Sequence, residues 1–94
     1  MIERQFANVW DAIEKTAAEA AAMKARADLV MAIREIVDGW DSTQAIAAKQ
    51  LGITQPRLND LLRGRIDKFS LDALMNIAAK AGLSVRIKVA RSAA

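Results

Sequence analysis

Apolar residues recur at steps of three and four along most of the chain, and at steps of two only near its end. Leu29, Val30, Ile33, Ile36, Val37 and Trp40 follow the first spacing and predict the buried stripe of a long helix reaching about Asp38. Thr16-Ala17-Ala18-Glu19 has capping-box spacing, in which threonine accepts one free amide and glutamate reaches back to another, so that helix is expected to begin there. A shorter helix is expected ahead of it, from Asn8 as cap to about Lys15, with Val9, Trp10 and Ile13 as its apolar side. Residues 1–7 carry little pattern and are expected to be flexible. Ala17 to Ala27 offers only Met23 as a sizeable apolar side chain, which favours helix but gives little to bury. Gly39 is the expected stop.

The chain from Gln44 to Arg63, QAIAAKQLGITQPRLNDLLR, predicts two short helices joined by a tight turn. Ala47 and Ala48 are small enough to let two helix backbones approach closely, and Gly52 supplies a turn residue with no Cβ penalty at positive φ. Ile46, Leu51, Ile53, Leu58 and Leu61 are expected to face the core from both sides of the bend. Thr43 is the expected N-cap of the first helix, which puts Gln44 in its first turn. Thr54 opens the second, with Pro56 where a missing amide hydrogen costs nothing and Ile53 and Leu58 spaced as a hydrophobic staple. This pattern, over residues 43–63, is that of a helix-turn-helix.

A short basic loop, Arg65 to Lys68, follows. Ser70 is the next N-cap, with Phe69 and Leu74 repeating the staple, and the helix that it starts is expected to bury Leu71, Leu74, Met75, Ile77 and Ala78. Gly64 and Gly82 stand just past the ends of two helices, as left-handed stops do. Then Ser84-Val85-Arg86-Ile87-Lys88-Val89 alternates polar and β-branched residues, which predicts a strand. The expected architecture is one all-α domain over residues 1–94: helices within 8–38, the helix-turn-helix at 43–63, a last helix at 70–81 and a strand at 84–89. It counts five helices and one strand. A strand alone leaves its amides and carbonyls unpaired, so Val85, Ile87 and Val89 are the expected contacts of a homodimer.

Composition narrows the chemistry. With 94 residues and 53% hydrophobic residues but only 4% aromatics, the chain suits one modest core of closely packed helices. Cysteine and histidine are both absent, which removes disulfides, thiolate metal sites and the usual general base. No cofactor, metal site or catalytic residue is expected, and an enzyme is disfavoured. With no apolar stretch of membrane-spanning length and no signal-peptide core after Met1, no membrane contact and a cytoplasmic location are expected. The net charge of +3 is unevenly placed: acids outnumber bases up to Trp40, and bases outnumber acids beyond it. That asymmetry suits a polyanion on one side of the molecule.

The second helix of a helix-turn-helix lies in the major groove of DNA with its N-terminal residues at base edges. Here those are Thr54, Gln55, Arg57 and Asn59; Gln and Asn can pair two-pronged with adenine, and Arg with guanine. Gln44 at a helix N-terminus, and Arg63, Arg65 and Lys68 after the reading helix, are the candidate phosphate contacts. Asp60 and Asp67 lie close to those positions, and Asp67 is a candidate partner for Arg65 or Lys68, or a cap for the loop.

The stretch GITQPRLNDLLRGRIDKFSLDALMNIAAKAG, followed by VRIKV, resembles the XRE or Cro-like helix-turn-helix family, and looks like the branch that includes antitoxins of the HigA type. The resemblance runs from about Asn8 to Val89. It implies a lambda-repressor-like DNA-binding fold, a homodimer on an inverted-repeat operator in double-stranded DNA and, often, repression of the protein's own promoter. In some members it also implies neutralisation of a RelE-like toxin. Gln44, Gln55, Arg57 and Asn59 match the family's DNA-facing positions, although many members have serine where Asn59 stands. Two other readings fit the sequence less well: an interaction module that masks a RelE-like toxin with DNA binding secondary, and a structural helical domain without a ligand.

Overall fold

The computed structural model describes the backbone of residues 2–91 and the side chains of residues 16–91. Four α-helices and one 3-10 turn make up the described secondary structure. The first helix, α1, runs without a break over Ile2–Trp40. The two N-terminal helices expected from the sequence are therefore one, and Thr16 lies inside it as an exposed residue. A capping box starts a helix only where the backbone leaves the helical conformation. No glycine or proline lies between Asn8 and Ala27 to force that, and alanine-rich sequence propagates a helix already begun. Asn8, the expected cap, likewise lies inside α1, and the apolar side assigned to Val9, Trp10 and Ile13 concerns side chains outside the described residues.

At its other end α1 continues past Gly39 through Trp40, and Asp41 takes the left-handed conformation, with φ 49°. One extra helical residue places Trp40 three positions after buried Val37, where it packs on the core. Aspartate is among the few residues other than glycine that tolerate positive φ.

Helix α2, Gln44–Leu51, and helix α3, Gln55–Leu62, form the bend. The hydroxyl of Thr43 accepts from the Ile46 amide at 3.2 Å, and that of Thr54 from the Arg57 amide at 3.3 Å. Between them Gly52 has φ 71°; its amide donates to the Lys49 carbonyl and that of Ile53 to the Ala48 carbonyl, the paired bonds of a Schellman stop. The same pair closes α3, where Gly64 donates to Leu61 and Arg65 to Asp60. A 3-10 turn at Ile66–Lys68 then leads to α4, Leu71–Lys80, whose cap Ser70 accepts from the Ala73 amide at 3.1 Å.

The core gathers Val30, Ile33 and Val37 of α1, Ala47, Ala48 and Leu51 of α2, Leu58 and Leu61 of α3, Phe69, and Leu74, Ile77 and Ala78 of α4. Helix α1 packs on α4, on the 3-10 turn and on α3, so its C-terminal half backs the helix-turn-helix. Most side chains from Thr16 to Ala21 and at Met23 and Lys24 are exposed, as a segment with little to bury must be. Three core assignments need correction, the first being Met75, which is half-buried and borders a groove instead of joining the core. Ile46 is 57% exposed because it points about a third of a turn round α2 from buried Ala47, and Leu71 is 36% exposed because it starts α4 at the edge of the core, beside the groove that residues 83–88 border.

The expected strand does not form within the chain. The amide of Leu83 donates to the Ala78 carbonyl at 2.9 Å, and beyond it residues 84–91 make no backbone hydrogen bond among the described residues. A strand is a pairing, and one chain supplies no second edge here. Residues 83–88 instead border an apolar groove of about 540 Å³ against Ala25, Leu29, Leu71 and Met75. Val85 is 38% exposed, Ile87 74% and Val89 86%. No described helix is long and apolar enough to cross a membrane.

Candidate nucleic-acid interface

Leu58 and Leu61 fix which way α3 faces. Both are fully buried, so the opposite side of the helix carries Gln55, Pro56 and Arg63 in the open, with Asn59 half-buried at its edge. Thr54 is exposed at the helix start; its oxygen is occupied by capping, and its O–H proton remains available to an acceptor. Gln44 is exposed in the first turn of α2, whose N-terminal amides form the positive end of that helix dipole.

Arg57 lies differently from its neighbours in the predicted set. It is half-buried at the flank of α3. Its guanidinium donates to the Lys68 carbonyl at 2.9 Å and stacks 4.3 Å from the centroid of the Phe69 ring. The guanidinium is thus committed to the segment that follows the helix rather than presented beside Gln55 and Asn59.

Arg63, Arg65 and Lys68 are exposed together after α3. Asp60 accepts from Arg65 at 3.1 Å and stands 3.9 Å from the Lys68 ammonium. The partner of those cations is therefore Asp60, where the sequence suggested Asp67. Asp60 is in the last turns of α3, and the chain reversal at Gly64 brings the two cations back beside it. One cation had no signal in the sequence. Arg34 of α1 lies 3.8 Å from the position that a Cβ on Gly64 would occupy, so the acidic half of the chain contributes a base to this cluster.

A helix with polar, hydrogen-bonding side chains at its exposed N-terminal end, braced by a second helix across a glycine turn and flanked by cations, defines a helix-turn-helix of the DNA-binding class. The chain belongs to a helix-turn-helix domain family whose model matches residues 13–90. A solved structure described provisionally as an XRE family transcriptional regulator is similar to it, with a TM-score of 0.72 and 27% sequence identity over 80% of this chain and 84% of that one. No curated protein matches the chain in sequence.

Proposed function

We propose that the protein is a sequence-specific transcriptional regulator that reads double-stranded DNA with the N-terminal half of α3. The observation that carries this reading is the polar row of exposed Thr54 and Gln55 with half-buried Asn59, flanked by Arg63, Arg65 and Lys68. The first set has the donors and acceptors that base edges require, and the second has the charge that phosphates attract. Gln44 at the start of α2 and Arg34 beside Gly64 extend the phosphate set. The protein acts as a homodimer joined through residues 84–89, with Val85, Ile87 and Val89 covered by a second copy, so its operator is an inverted repeat. Repression of its own promoter is the role that the XRE resemblance suggests.

The two sets must fail differently. Gln55→Ala is expected to lose about 1–3 kcal/mol on a duplex that the wild type selects from a random pool, and to relax preference at one base pair per half-site. Arg63→Ala is expected to weaken all duplexes alike and to reduce the salt slope by about one unit. Fluorescence anisotropy at several salt concentrations, on selected and scrambled duplexes, separates them. Equal losses on both duplexes for Gln55→Ala would remove α3 from base reading.

A second reading gives the protein an antitoxin's partner as well. Its support is the exposed, alanine-rich stretch of α1 from Thr16 to Lys24, which has little to do for the core. A RelE-like protein docked on this arm is expected to be neutralised by the full chain and not by a chain that starts after Lys24. Co-expression with the product of a neighbouring RelE-like reading frame tests this, and undiminished neutralisation by the shortened chain would rule the arm out.

A further inference from the structure

Two ties join α3 to the segment that follows it, and both start from α3 side chains one turn apart. Arg57 holds the Lys68 carbonyl at 2.9 Å and the face of Phe69, and Asp60 holds Arg65 at 3.1 Å. Phe69 is itself 1% exposed, so the ring that Arg57 stacks on is fixed by the core. The guanidinium contact spans eleven positions of sequence and closes the loop of Gly64 and the 3-10 turn back onto the helix.

We propose that Arg57 is a positioning residue for DNA recognition and makes no base contact. It locks the base-facing row of α3 at a fixed distance and angle to the phosphate-facing group of Arg63, Arg65 and Lys68. The two sets then meet the duplex as one rigid body. Geometry favours this over direct readout. A base contact would need the planar fork to leave a hydrogen bond and the face of a buried aromatic ring, and the polar row it would join lies on another side of the helix. A phosphate contact needs only charge, which lysine also supplies; the stacked fork needs arginine.

This inference rests on the DNA-reading proposal, and the test distinguishes the two. The wild-type protein first selects duplexes from a random-sequence pool, and Arg57→Lys and Arg57→Ala are then measured on the enriched duplex and put through the same selection. Circular dichroism and thermal melting establish that each variant is folded at the assay temperature. Positioning predicts that both variants bind on the order of tenfold more weakly, with the salt slope of the wild type and with preference flattened evenly over every base pair that α3 reads. Amide NMR resonances of Lys68 and Phe69 in the free protein are expected to shift in Arg57→Lys. If Arg57→Lys does not fold, Phe69→Leu, which keeps the charge and removes the aromatic face, is expected to flatten preference in the same way. Binding of Arg57→Lys equal to that of the wild type would overturn the proposal in favour of a phosphate contact. Preference lost at one base pair alone would overturn it in favour of base reading. Failure of the wild type to enrich any duplex would overturn the DNA reading itself, and the positioning role with it.

Discussion

A double variant carrying Ile87→Asp and Val89→Asp is expected to sediment as a folded monomer and to bind an inverted-repeat duplex about 100- to 10,000-fold more weakly than the wild type. The two side chains are 74% and 86% exposed in the single chain, so replacing them removes almost no contact within it. What they lose is a partner. Residues 84–91 present backbone groups with no bond inside the described chain, and an antiparallel copy would satisfy them while covering Val85, Ile87 and Val89. Carboxylates placed across a two-fold axis would instead face like charges and lose water. Two linked half-sites gain affinity through effective concentration, and a monomer forfeits that gain. On a duplex with one half-site the variant and the wild type should therefore differ little. Sedimentation velocity and binding on the two duplexes are the measurements. A variant that remains a dimer of undiminished affinity would move the interface elsewhere.

The largest stability effect is expected at Phe69. Phe69→Ala should lower the unfolding free energy by about 3–5 kcal/mol, a large share of what a domain of this size holds. Phe69 is 1% exposed and stands between α3 and α4, before the cap at Ser70, so truncation opens a cavity where the chain turns. It also removes the ring under Arg57. Phe69→Leu fills most of the volume and should cost less than about 1.5 kcal/mol. Urea unfolding followed by circular dichroism gives both values. A loss under about 1 kcal/mol for Phe69→Ala would mean that the core closes over the gap, and that this staple contributes little.

Much of the local structure was legible because it is written in neighbouring residues. Thr43, Thr54 and Ser70 cap the helices expected of them, and Gly52 and Gly64 carry the positive φ that their places after helices implied. Each of these is a bargain between a side chain and the backbone within a few positions, so sequence alone can state it. The same holds for the stripe of Val30, Ile33 and Val37, where the helical period decides burial. A local signal decides less where it allows a helix end but does not force one. The capping box at Thr16 and the glycine at Gly39 each permit a helix end without requiring one, and α1 passes through both.

Relations between distant segments came only from the tertiary structure. Nothing near Arg57 says that its guanidinium meets Lys68 and Phe69, since that depends on how sharply the chain turns at Gly64. The pairing of Asp60 with Arg65, and the arrival of Arg34 beside Gly64, follow from the same closure. The polar row of Thr54, Gln55 and Asn59 was readable as chemistry from its residue types, and α3 gave it a face because Leu58 and Leu61 are buried behind it. Sequence thus determined where the helices are capped and which groups could read a base. Packing decided which of those groups point outward and which are already held, because a side chain's partner is set by what the fold brings within its reach.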